Sequence, residues 1–156
     1  MPGEAFGHAA QRIIVDSLGE MRRGIEGTTT EARNWRPDAT EMNSLAVPAV
    51  HAHSSTREWL CIAYGLALPE RDRDSEFEAV AGSPDSLLQS IEAIGADCRT
   101  LLQRPANTEW SEPLPDASEP NNVSAAWALL HGVEHRREHL GQMSLTRQIW
   151  EQAAGR

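Results

Sequence analysis

No apolar run in this sequence approaches the roughly 20 residues that a helix needs to span a bilayer, so no membrane-crossing helix is expected. The opening segment MPGEAFGHAAQ lacks both the basic region and the apolar stretch of a secretory signal, which points to a cytoplasmic protein. Cysteine is scarce. Cys61 and Cys98 are too few for a disulfide framework and fit reduced thiols. Positive charge is in the minority, with 14 basic against 23 acidic residues and a formal net charge of -9, so an electrostatic grip on nucleic acid is not expected. Internal repeats, heptads and strand-like alternation are also missing.

What is present is helical periodicity. The 156 residues suit a single domain, 1–156, able to bury a core of its own. Ile13, Ile14, Ser17, Leu18, Met21 and Ile25 recur at helical spacing within 5–26, and Thr28 to Thr30 end that pattern. A second stripe runs over 43–66 through Leu45, Val50, Trp59, Leu60, Ile62 and Ala63. Asn43 or Ser44 caps it, Pro48 sits in its first turn, and Gly65 and Pro69 stop it. A third begins at the Ser83 cap with Pro84 behind it and carries Leu87, Leu88, Ile91, Ile94, Cys98, Leu101 and Leu102. The last and longest covers 122–152, with Val123, Trp127, Leu130, Met143, Ile149 and Trp150 as apolar contacts. Four long helices predict an all-α fold, a four-helix bundle.

Two connections stand out. Residues 67–82 centre on RDRDSEFE, whose alternating charge reads as a solvated loop. Residues 103–122 hold four prolines and almost no periodicity, a length that suits a segment lying over a site or an interface.

The chemistry concentrates in histidine. His131, His135 and His139 follow one another at intervals of four in HGVEHRREHLGQ, so each step turns only about 40° around a helix and all three share a face. Gln142 returns to the same stripe, and the flanking Trp127, Leu130 and Met143 aim it into the bundle. Imidazoles one turn apart can converge on one metal ion, which needs a further ligand from another element. His51, mid-way along the second stripe, is the natural third, while His53 lies about 200° around that helix from it. His131 is the weakest ligand of its series and fits a supporting or core role. The plainer alternative is a buried hydrogen-bond network of histidines with no metal.

The same string contains HxxEH twice, a pattern that in some proteases pairs two zinc-binding histidines with a glutamate base. Those enzymes are larger α/β proteins, and Glu134 and Glu138 read instead as solvent-facing partners of Arg136 and Arg137. Cys61 and Cys98 fall in helical stripes and read as small core residues, not nucleophiles.

Three strings, NSLAVPAVHAHSSTREWL, RDRDSEF and LLHGVEHRREHLGQ, together resemble the DinB/YfiT-like family of metal-binding four-helix bundles, and with helix order and length the resemblance covers nearly the whole chain. It implies an up-down-down-up bundle with one long crossover. It further implies a metal triad of His51, His135 and His139 holding a divalent ion, nickel or zinc, with water in the remaining positions. Gln142 matches a Gly-Gln element that orients a ligand. Leu140, where many members have Arg, and the extra His53 depart from the pattern without removing a ligand.

Relatives of that family include thiol S-transferases and a maleylpyruvate isomerase that use a small thiol such as mycothiol or bacillithiol, and many are dimers. The resemblance therefore implies a metal-dependent thiol S-transferase with a small thiol cosubstrate, in which three neutral imidazoles leave the centre cationic and favour a thiolate. The alternative is a stress-associated bundle that binds a metal or small ligand without turnover.

Overall fold

A computed structural model describes residues 2–40, 42–104, 110–111 and 123–155. Its elements are all helices: α1 (Pro2–Ile25), α2 (Thr30–Asn34), α3 (Ala46–Ala63), α4 (Arg73–Phe77), α5 (Pro84–Leu102) and α6 (Ala125–Ala153). The four long ones form the bundle, and the two short ones lie in its connections.

Local chemistry sets most of the ends. Ser83 opens α5 with a reciprocal capping box, its Oγ accepting from the Ser86 N–H while Ser86 Oγ accepts from the Ser83 N–H, each close to 3 Å. At the start of α3 the Ser44 hydroxyl accepts from the Val47 N–H at 3.4 Å, and Pro48 falls within the first turn. Past α3, Gly65 adopts a φ of 62°, a left-handed turn that glycine makes without strain. Arg33, buried in α2, donates from Nη2 to the Ile25 carbonyl at 2.8 Å and so closes the free end of α1.

Cross-helix contacts give the directions. Phe6 and Ala126 both meet Trp110, while Glu20 pairs with Arg137 and Arg147 donates to the Gly24 carbonyl, so α1 and α6 run the same way. Tyr64 reaches Gln11, and Thr146 bonds the Asn43 carbonyl, so α3 runs against both. Arg57 pairs with Asp97 and His53 lies beside Gly95, which sets α5 parallel to α3. The chain between α3 and α5 therefore returns along the length of the bundle, and this is the segment that carries α4.

The core has two apolar halves. One gathers Ile14, Leu18, Trp59, Leu60, Cys98, Leu102 and Leu129; the other gathers Met21, Ile25, Leu45, Ala49, Leu87, Ile91 and Met143. Between them in the order of α3 and α6 lie the buried polar residues His53, Thr56 and Arg136. Most of the 103–122 connection lies outside the described residues. Trp110, within it, stacks edge-on against Phe6 at 5.7 Å, and a Cβ on Gly7 would stand only 2.8 Å from its ring.

Several expected contacts fall elsewhere. Ile13 is 39% exposed beside the fully buried Ile14, and Trp127 and Leu130 are 46% and 52% exposed, so they do not flank an inward stripe. The buried face of α6 runs instead through Ala125, Ala128, Leu129, Gly132, Arg136, His139, Met143 and Thr146, spaced by three and four apart from the adjacent Ala128 and Leu129. Truncating Ile14 to alanine is expected to cost about 2–4 kcal/mol in denaturant unfolding, against roughly 1 kcal/mol or less for Ile13→Ala. Equal losses at the two positions would contradict this packing.

Candidate metal centre

The facing surfaces of α3 and α6 bring His51, His135 and His139 together. His51 Nε2 lies 3.0 Å from His135 Nε2, which lies 3.3 Å from His139 Nε2. His51 and His139 are buried, and His135 is partly exposed. Each is turned by its neighbours. His51 Nδ1 stands 2.8 Å from Oε2 of Glu76, a buried carboxylate on α4, and His139 Nδ1 stands 2.8 Å from the Gln142 amide oxygen. Both partners accept, so each Nδ1 carries a proton, and in its neutral form each ring turns a lone pair on Nε2 toward the common point.

His135 Nε2, even if protonated, can donate to only one of the two lone pairs that face it, so hydrogen bonding alone leaves the cluster incomplete. A tetrahedral ion with nitrogen ligands at ~2.0–2.1 Å holds them about 3.3 Å apart, close to the spacing seen. Burial lowers the His51 pKa, against the pull of Glu76, and burial together with the neighbouring imidazoles takes His135 down to about 4. Both are therefore neutral near pH 7, the form that ligates metal. The three histidines are close enough to hold a metal ion.

The 67–82 connection is not simply solvated. Asp72 caps α4 by accepting from the Ser75 N–H, and α4 carries Glu76 inward. Arg71 grips Glu76 with two bonds, Nε to Oε1 at 2.7 Å and Nη2 to Oε2 at 2.8 Å, and also pairs with Glu58 of α3. Burial alone would raise the Glu76 pKa; the bonds from Arg71 and His51 reverse this and hold the carboxyl below its usual range. A carboxylate, a histidine and a candidate metal position thus stand in line, the arrangement that fixes ring orientation and raises ligand basicity.

His131 sits one turn before His135 and outside the triad. Its ring stacks on Trp127 at 4.8 Å and meets the edge of Trp59 at 4.5 Å. It lines a cleft of about 360 Å³ with His51, Ser55, Glu58, Trp59, Arg71, Arg73 and His135, open beside the triad. His53 turns away, as its angle on α3 requires: Nδ1 donates to the Ala49 carbonyl at 2.8 Å and Nε2 accepts from Arg136 at 3.2 Å. Arg136 and Arg137 do not pair with Glu134 and Glu138. Arg136 is fully buried and Arg137 pairs with Glu20, while Glu134 lies 3.7 Å from His131 and Glu138 accepts from Gln142. Cys61 and Cys98 are buried, and burial pushes both thiols up, Cys98 to about 11, which suits core residues and not nucleophiles.

Sequence reasoning missed Glu76, Arg71 and Arg136. The cap-like Asp72 three residues ahead of Ser75 marks a helix inside the charged run, and stepping by three and four from Leu129 reaches Arg136 on the core face.

The bundle has known counterparts. A profile of the DinB superfamily matches residues 14–143, and the chain belongs to that superfamily. Among solved structures, that of a conserved protein from Enterococcus faecalis superposes with a TM-score of 0.70 over 90% of this chain and 94% of its own, at 14% identity, a likeness of fold. No curated protein sequence matches the chain. No helix among the described residues is long and apolar enough to cross a membrane.

The buried imidazole of His53 carries a pH consequence. Burial, with Arg136 adding to it, pushes its pKa down to about 3. A histidine held neutral contributes its full stability above the unfolded pKa of about 6.5, and that contribution is lost as the pH falls toward the folded value, because only the unfolded chain takes up the proton. Metal-free protein is expected to lose up to about 1.4 kcal/mol per pH unit from this group between roughly pH 6 and 4. Denaturant titrations should show a shallower slope for His53→Leu, and an unchanged slope would contradict the assignment.

Proposed function

We propose that His51, His135 and His139 hold one divalent ion, nickel or zinc, and that the protein performs metal-dependent chemistry on a small molecule, thiol S-transfer being the reaction favoured. The observation that carries this reading is the convergence of three Nε2 atoms beside an open cleft, with two of the rings fixed through Nδ1 by Glu76 and Gln142. The ion would supply Lewis acidity that lowers the pKa of a coordinated thiol or water.

The chain's own residues do the rest. Glu76, gripped by Arg71, keeps the His51 ring turned toward the centre, and Gln142 does the same for His139. The rings of Trp59 and His131 line the cleft, and the Arg71–Glu58 pair lies on it as well. Neither cysteine is exposed, so the thiol that reacts is a cosubstrate's and not the protein's. A cleft open at the triad favours turnover over storage, since a purely structural ion is enclosed by four protein ligands.

Mass-spectrometric metal analysis of untagged protein is expected to find about one nickel or zinc ion per chain in wild type and none in His51→Ala, with transfer assays over several small thiols then tested on the loaded form. Absence of metal from wild type, even after reconstitution, would overturn the reading. Glu76→Gln keeps the shape but not the charge and is expected to weaken metal binding by about 10- to 100-fold in a competition titration. Wild-type affinity in that variant would remove Glu76 from the centre.

A further inference from the structure

Arg136 is fully buried, yet among the described residues it makes no ion pair, and its Nε has no hydrogen-bond partner. An uncompensated cation inside a bundle is costly where a leucine or methionine would pack without penalty. The best-attested use of such a group is to specify register, as one buried polar residue does in a coiled coil.

Register matters at the interface it occupies. The buried face of α3 offers Ala46, Ala49, Ala52 and Ala63, and that of α6 offers Ala125, Ala128 and Gly132. Small side chains let the two backbones approach, and each set faces large residues of the other helix, Gly132 against Trp59 and the α3 alanines in one cluster with Met143, so a slide of one helix along the other would unseat those contacts. A three-histidine centre tolerates no such slide, because its ligands must hold their geometry to about half an ångström.

Arg136 meets three groups within little more than one turn of α3. Nη1 donates to the Ala52 carbonyl at 3.3 Å and to Thr56 Oγ1 at 3.0 Å, and Nη2 donates to His53 Nε2 at 3.2 Å. Two of these acceptors are themselves fixed to α3, His53 through the Ala49 carbonyl and Thr56 through the Ala52 carbonyl at 2.7 Å. On α6 the arginine follows His135 directly, and on α3 its first partner follows His51 directly. We propose that Arg136 is a positioning residue whose bonds to Ala52, His53 and Thr56 lock the register of α3 against α6 and so set the convergence of His51 on His135 and His139.

This inference rests on the metal reading, and the test separates the two. The double variant Arg136→Met/His53→Leu removes both ends of the polar contact and leaves no orphaned imidazole. Metal-free Tm, cobalt(II) affinity by competition and the visible spectrum of the cobalt-loaded protein would be compared with wild type. A register lock predicts a metal-free Tm equal to or above wild type, cobalt binding at least about tenfold weaker and an altered spectrum. Unchanged affinity and spectrum in a variant of normal Tm would overturn the inference while leaving the metal reading intact. A variant that is unfolded or markedly less stable would also overturn it, since Arg136 would then only hold the bundle together. Wild type that takes up no cobalt would overturn both.

Discussion

Two neighbouring helices that run the same way cannot be joined by a tight turn. Because α3 and α5 are parallel, the chain leaving Ala63 must travel back along the bundle before α5 begins at Pro84. That journey passes the level of His51 in the first half of α3, and α4 is the part of it that turns inward. The topology thus delivers a carboxylate from outside the four main helices to the outer nitrogen of a buried histidine. Arg71 makes the delivery tolerable: its two bonds to Glu76 and its pair with Glu58 replace the water that the buried carboxylate gives up.

The second organising fact is a division of labour along α3 and α6. Apolar halves above and below supply the burial that holds the bundle together, while the level between them is given to polar side chains. The small residues of both helices make the arrangement possible, since a Cβ on Gly132 would already stand at 3.4 Å from that of Trp59.

The helices and the three clustered histidines were legible in the sequence because both follow from local spacing. Intervals of four on one helix place His135 beside His139, and the Ser83–Pro84 start of α5 is written in adjacent residues. The misreadings share one cause. Charge was assigned to solvent at Glu76 and Arg136, yet each also meets a group far off in the chain, Glu76 meeting His51 25 residues away beside the nearby Arg71, and Arg136 meeting His53 83 residues away. Burial of a charge is decided by such distant partners, which periodicity does not see. The same limit explains Trp127 and Leu130: their apolar character suggested an inward face, but the face that packs on α3 is the one built around alanine, glycine and Arg136.

The aromatic wall has a practical side. Trp59, almost wholly buried, meets His131 edge-on, and Trp127, half in solvent, stacks on it, in a chain of rings that leads on to His135. Indole emission responds to the polarity, protonation and magnetism of whatever lies against it. Two of the five tryptophans thus stand where a change in the cleft alters their surroundings, while Trp35 and Trp150 pair with each other at 5.5 Å. Occupation of the cleft is therefore expected to change the indole emission of the unlabelled protein.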